Sequence, residues 1–137
     1  MTRVDFYVLA DGAGRERELT ACRIVEKAWQ QGHTVWLTTE DQRQAERMDQ
    51  LLWTFRDSSF VPHERGPAES GVVGIVPYTE RHTGGVLVNV ANAALLPLER
   101  AARIAEIIPA DADGRSYGRQ RFRAYRDAGA EPETHNL

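Results

Sequence analysis

Val4 to Ala10 and His33 to Thr38 are both strand-like, and the segment between them carries apolar residues at helical spacing. Parallel strands need a crossover of a dozen or more residues, usually a helix, and that spacing is present here. The first run alternates and is rich in β-branched and aromatic residues. Asp11-Gly12-Ala13-Gly14 then turns the chain. From Arg15 the apolar set Leu19, Cys22, Ile24, Val25, Ala28 and Trp29 predicts an amphipathic helix. Gly32 suits the left-handed position just past its end. Thr39 followed by Gln42 matches a capping box, so a second helix is expected there. Ala45, Met48, Leu51, Leu52 and Phe55 would form its buried face.

Beyond it, residues 57–71 read as an irregular connection, and so long a loop in a small domain often serves function. Val72 to Pro77 and Gly85 to Val90 read as two more strands around a polar turn, Glu80 to Gly84. Pro97 to Ile108 reads as a third helix with Leu98, Ala101, Ala102, Ala105 and Ile108 buried. Gly114 to Ala128 reads as a fourth, capped by Asp111 or Asp113 and closed by Gly129. Ala130 to Leu137 is polar and expected to fray. Strands alternating with helices indicate an α/β fold with a mainly parallel sheet covered on both faces. The 137 residues form one domain over 1–129 followed by a polar tail, 130–137.

Few catalytic chemistries survive inspection. After the first strand, Gly12 and Gly14 lack the third glycine of a dinucleotide fingerprint, since Arg17 stands there. No Gly-Lys-Ser/Thr is present to cradle phosphate, and no Gly-x-Ser-x-Gly elbow. His33, His63, His82 and His135 are scattered without ligand-like spacing, so no metal site is expected. The single cysteine, Cys22, lies in the apolar pattern of the first helix and reads as a small buried hydrophobe. Glu40 and Asp41 fit a helix start, where negative charge favours the dipole. No apolar run approaches a membrane span and nothing resembles a signal peptide, so a soluble, cytoplasmic protein without cofactor is expected.

Charge placement is more informative. The chain has 17 basic and 20 acidic residues, a net −3. Residues 115–126 hold five arginines and no acid, which leaves −8 on the rest. At about 100° per residue, Arg115, Arg119, Phe122, Arg123 and Arg126 share one helix face, with Arg121 off it. Tyr117, Ala124, Tyr125 and Ala128 point away, toward the sheet. Like charges one turn apart repel, so such a stripe costs stability unless an anion docks on it. Guanidinium forks match carboxylates and phosphates, and the ring among them suits a ligand both anionic and apolar. Single-stranded nucleic acid and an acidic peptide with a hydrophobic, free C-terminal residue both satisfy this. The short stripe on an acidic protein favours the peptide.

A second surface is aromatic. Trp53 lies off the buried stripe of the second helix, followed by Phe60, Val61 and Pro62, a composition typical of a protein–protein anchor.

The opening Phe6 to Leu9 (FYVL), Thr39 to Phe55, Ser59 to His63 (SFVPH) and Arg121 to Gly129 (RFRAYRDAG) together resemble the chi subunit family of bacterial DNA polymerase III. The resemblance implies a Rossmann-like three-layer fold and a non-catalytic adaptor in the clamp-loader assembly. It implies that Ile108, Arg115, Arg119, Phe122 and Arg123 bind the acidic C-terminal tail of single-stranded DNA-binding protein, and the arginine stripe adds Arg126 as a further candidate anion contact. It also implies that Trp53, Phe60 and Pro62 face the psi subunit or, alternatively, a repair helicase. DNA would then be reached indirectly, through its coat protein. Two other readings remain open: direct binding of single-stranded nucleic acid by the arginine-rich helix, and a small nucleotide-using enzyme.

Overall fold

The computed structural model describes residues 2–10, 16–80, 84–98 and 101–137. The glycine turn at 11–14, the start of the first helix at Arg15, His82 and most of the Glu80–Gly84 turn lie outside the described residues. In chain order the elements are β1 (Arg3–Val8), α1 (Glu16–Gln30), β2 (Val35–Thr39), α2 (Gln42–Thr54), β3 (His63–Arg65), β4 (Val73–Pro77), β5 (Val86–Asn89), β6 (Arg103–Ile108), α3 (Ala112–Asp127) and β7 (Glu133–Asn136). The strands form one sheet, ordered β3-β4-β2-β5-β6-β1-β7, and every pairing in it is parallel.

Strand side chains alternate between faces, and the sequence exploits this on both sides. Val35 and Leu37 of β2 pack with Cys22 and Val25 of α1 and with Met48 and Leu52 of α2. Trp36 between them points to the opposite face, where it joins Phe6, Leu87, Ile104 and Tyr125 of α3. The chain therefore has the expected three-layer, Rossmann-like α/β arrangement, with two helices on one face and α3 on the other. Gly32 has φ 86°, closing α1 as anticipated.

Four local expectations are corrected. Arg103–Ile108 is β6, a strand between β5 and β1, and not the end of a helix from Pro97. Ile104, Ala105, Glu106 and Ile107 are all fully buried. A central parallel strand is covered on both faces and lacks the alternation of a half-buried strand, so an apolar stretch broken only by Glu106 cannot be separated from a helix by periodicity. The preceding segment crosses the α3 face and buries Leu95, whereas Ala102 is exposed. Second, the C-terminal residues do not fray: β7 pairs with β1 from Asp5↔Glu133 to Val8↔Asn136. Backbone pairing supplies that order, so apolar patterning carries no trace of it. Third, the irregular connection contains β3, which pairs with β4. Fourth, the capping box is shifted by two residues. Asp41 accepts from the Gln44 backbone N–H at 2.8 Å, and the Gln44 side chain accepts from the Glu40 N–H at 2.8 Å.

On α3, Tyr125 is buried as expected, but Tyr117 and Ala128 are exposed. Arg121 takes the interior place instead. It is 2% exposed, and its Nε donates to Glu106 Oε1 at 2.8 Å. Tyr125 Oη and Asn89 Nδ2 donate to the other carboxylate oxygen at 2.6 and 2.9 Å. Tyr125 in turn accepts from the Leu95 N–H at 2.8 Å, which ties the crossing segment down.

Asp5 fastens the other side of the sheet. Its buried carboxylate meets Arg103 at 2.9 Å, Arg3 at 3.0 Å and His135 at 2.9 Å, linking β1 to β6 and β7. Burial alone would raise this carboxyl, but the His135 hydrogen bond and the charges of Arg103 and Arg3 outweigh it and hold the pKa below its usual 3.8. An acid whose pKa is lower folded than unfolded stabilises fully above the unfolded value and loses that contribution as pH falls through the folded one. Asp5→Asn should therefore cost about 1–2 kcal/mol at neutral pH, with partners that can partly rehydrate. Denaturant melts of variant and wild type should converge in acid, below the usual carboxylate range. A difference independent of pH would count against the assignment.

Candidate peptide-binding cleft and aromatic patch

α3 places the arginine stripe along the flank facing β1 and β7. Its N-cap is Asp111, which accepts from the Gly114 N–H, settling the choice between Asp111 and Asp113. Ile108, Arg115, Arg119 and Phe122 come together around one cleft of about 160 Å³, whose floor is Phe6 and Val8 of β1 and whose far wall is Thr134 of β7. Phe122 is half-buried and meets Phe6 edge-to-face, with ring centroids 5.2 Å apart. Arg123 and Arg126 line an adjoining, larger groove of about 540 Å³, which shares Arg119 and Phe122 and includes one acid, Asp127.

The arginines differ in what they are free to do. Arg115 is half-buried and committed: its Nε donates to the Ala110 carbonyl at 3.1 Å and an Nη to the Leu9 carbonyl at 3.2 Å. It clasps the ends of β6 and β1 and holds the cleft wall. Arg119, Arg123 and Arg126 are exposed, and among the described residues no carboxylate lies within ion-pair distance of them. The cleft and the adjoining groove thus set an apolar floor beside three guanidinium groups, Arg119 at the cleft itself and Arg123 and Arg126 in the groove, a chemistry complementary to an apolar group next to an anion.

Gly118, Phe6, Val8 and Thr134 were missed from sequence as cleft residues. A glycine inside an otherwise helical pattern was the signal for the first. The strand residues had none, because their proximity to α3 follows from topology.

The aromatic patch lies at the end of α2. Trp53 is 48% and Phe60 66% exposed, with ring centroids 5.7 Å apart, and Pro62 beside them is half-buried. The SFVPH segment alternates its roles. Ser59 bonds to Glu26, Phe60 points out, Val61 enters the core, and His63 lies beneath Trp53 with centroids 4.3 Å apart. His63 is fixed by Asp49 at 2.9 Å and the Val61 carbonyl at 2.7 Å. The loop therefore folds back against the body of the domain while leaving both large rings in solvent.

Other candidate chemistry looks different in place. Cys22 is fully buried, and burial pushes its thiol up to about 12, which suppresses the reactive thiolate. His33 is exposed, His63 supports Trp53, and His135 stacks on Tyr7, so these three do not converge. Asp5, Glu133 and His135 do cluster, but the Asp5 carboxylate is already engaged by two arginines. A crevice of about 920 Å³ opens beside α1 and α2, near the end of β6. Its Arg17, Arg43 and Arg47 are matched by Glu18, Glu46 and Asp111, and Arg47 pairs with Glu18 at 3.3 Å. Among the described residues no helix is long and apolar enough to cross a membrane.

A parallel sheet with helices on both faces, a cleft beside a basic helix and an exposed aromatic patch define a Rossmann-like α/β domain. Residues 1–133 match the family of the DNA polymerase III chi subunit, HolC, and the chain belongs to that family. It is 36% identical over 142 residues to DNA polymerase III subunit chi of Pseudomonas aeruginosa, spanning 100% of this chain and 98% of that one. The chi subunit of Escherichia coli K12 is 28% identical over 139 residues, spanning 94% of each. Among solved structures, that of T4 UvsW superposes with a TM-score of 0.63 at 10% identity, covering 98% of this chain and 42% of UvsW. That likeness is one of fold. Membership of the chi family supports a role in DNA replication.

Proposed function

We propose that the protein is a non-catalytic adaptor of the replicative polymerase that captures the acidic C-terminal tail of single-stranded DNA-binding protein. The observation that carries this reading is the apolar cleft between Ile108 and Phe122, rimmed by guanidinium groups that have no acidic partner among the described residues. In this reading the terminal apolar side chain of the tail enters the cleft, and Arg119 meets its free carboxylate. Arg123 and Arg126 meet the acidic residues upstream, while Arg115 holds the cleft wall. Trp53, Phe60 and Pro62 form the second contact, with the psi subunit or a repair helicase, at the end of α2 and in the segment after it, and α2 packs on the opposite face of the sheet from α3. Binding the coat protein at one surface and the polymerase assembly at the other would hold the assembly near coated template.

Titration with an acidic tail peptide, and with the same peptide lacking its terminal residue, tests this. Truncation should weaken binding roughly tenfold or more, since burying one large apolar side chain contributes about 1.5–3 kcal/mol. Phe60→Ala should leave peptide binding unchanged and abolish capture of the second partner. Equal affinity for both peptides would sink the cleft assignment. Tighter binding to a bare oligonucleotide than to the peptide, with a steep salt slope, would favour direct nucleic-acid recognition instead.

A further inference from the structure

The crevice of about 920 Å³ beside α1 and α2 lies outside the carboxyl ends of the parallel strands, on the far side of the sheet from the arginine stripe. Topology accounts for its place. β1 and β6 are neighbours, but the chain leaves β1 through α1 on one face and leaves β6 through α3 on the other. Opposed exits open a crevice at the strand ends, and open α/β sheets bind small ligands there. Arg17 lines it from the first exit and Pro109 from the second, while α2 supplies Arg43, Arg47 and Leu51. Its volume falls within the roughly 300–1,000 Å³ of small-molecule sites.

Charges along its wall balance in number but not in pairing. Arg47 pairs with Glu18 at 3.3 Å, and the Asp111 carboxylate caps α3, which leaves the exposed Glu46 as the remaining acid. Among the described residues no carboxylate lies within ion-pair distance of Arg17 or Arg43. Arg43 is exposed, whereas Arg17 is half-buried. The Arg17 guanidinium donates to the Ala91 carbonyl at 2.9 Å and to Asn92 Oδ1 at 3.3 Å, and its Nε is buried with no partner. Nearby carboxylates are already engaged, Glu106 by Arg121 and Glu40 by the Asn92 N–H at 2.9 Å. Burial, and the neighbouring Arg121 charge, push the Arg17 pKa down to about 10. A cation held out of water beside a like charge, without its own counter-ion, is stabilised by an anion seated on it.

We propose that this crevice is a second anion site, which binds a short phosphate chain with Arg17 as its inner contact and Arg43 as its outer one. Guanidinium forks match phosphate oxygens. A lone carboxylate would answer only one of the two cations, whereas a chain of phosphates carries charge enough for both. α1 and α3 also begin at this crevice, so their positive ends favour the same ligand. Such a chain belongs either to a nucleoside triphosphate or to inorganic polyphosphate. The site is independent of the peptide-capture reading and shares no residue with the cleft beside α3.

The test titrates the full chain with tripolyphosphate, ATP and adenosine, without added divalent metal. Tripolyphosphate and ATP should bind and raise the melting temperature, and adenosine should do neither. Tighter binding of ATP marks a nucleotide as the ligand, and equal binding marks the phosphate chain alone. Arg17→Gln removes the charge while keeping an amide that can donate to the Ala91 carbonyl. It should weaken tripolyphosphate about tenfold or more. Its ligand-free melting temperature should be no lower than that of wild type, whereas loss of a merely structural arginine would lower it. Arg119→Ala, on the α3 side, should leave tripolyphosphate affinity within about twofold, because screened surface charges act weakly at a distance. Should Arg17→Gln fail to fold, Arg43→Gln at its exposed position serves, and should weaken tripolyphosphate about threefold or more. No binding of tripolyphosphate to wild type, adenosine binding as tightly as ATP, undiminished binding to the variants, or a loss that follows Arg119 instead would overturn the site.

Discussion

Glu106→Gln should lower stability by about 3–5 kcal/mol, because it leaves the Arg121 charge buried without its counter-ion. The amide oxygen can still accept from Tyr125 and Asn89, so the loss isolates the ion pair from the hydrogen bonds around it. Arg121 is 2% exposed and Glu106 fully buried. For a domain of this size the melting temperature should fall on the order of 10–20 °C. Arg121→Met should cost less. Burial pushes the Glu106 carboxyl above its ordinary range despite Arg121, Asn89 and Tyr125, so an unpaired Glu106 can take up a proton. A carboxyl that keeps its proton to higher pH when folded loses stability as pH rises, so the deficit of Arg121→Met should grow from mild acid toward neutrality. Combining the two substitutions should recover a large part of the Glu106→Gln loss, since the stranded charge is gone. Denaturant melts of the four proteins measure the coupling. Additive losses would show that the pair does not hold α3 to the sheet.

That pair also explains where sequence reasoning failed. Glu106 stands among Ile104, Ala105, Ile107 and Ile108, and a lone acid every few residues is what a helix shows on its wet face. Only the partner, fifteen residues on, turns it into an interior residue of a strand. Arg121 was likewise set aside as lying off the stripe, which was correct for the cleft and blind to its burial. α1 and α2 were legible because each buries one face and leaves the other wet, whereas β1 and β2, buried on both faces, were legible from their β-branched and aromatic residues between turn signals. β6 is buried on both faces and β7 on neither, so neither leaves a periodic trace. The cleft was half legible. Its arginines and Phe122 share a helix face at fixed spacing, but the floor comes from β1 and a wall from β7, more than a hundred residues apart.

Arg119→Ala should weaken binding of the acidic tail peptide about ten- to 150-fold, the range expected for one charge-assisted hydrogen bond of about 1.5–3 kcal/mol. Its guanidinium is exposed, has no acidic partner among the described residues and overlooks both the apolar cleft and the adjoining groove. Its removal should leave the melting temperature close to wild type. Arg115→Ala should behave differently, although both residues belong to the same stripe. Its two backbone contacts, to Ala110 and Leu9, join α3 to the ends of β6 and β1, so their loss should depress stability along with affinity. Arg123→Ala and Arg126→Ala should act mainly through charge, with effects that shrink as salt is raised toward the point where surface attraction is screened. Peptide titrations at two ionic strengths, set beside thermal melts, separate the three behaviours. If Arg119→Ala binds the peptide as wild type does, the anion is held elsewhere and the cleft is not its receptor. If Arg115→Ala lowers affinity without touching stability, Arg115 contacts the ligand directly and is no wall at all.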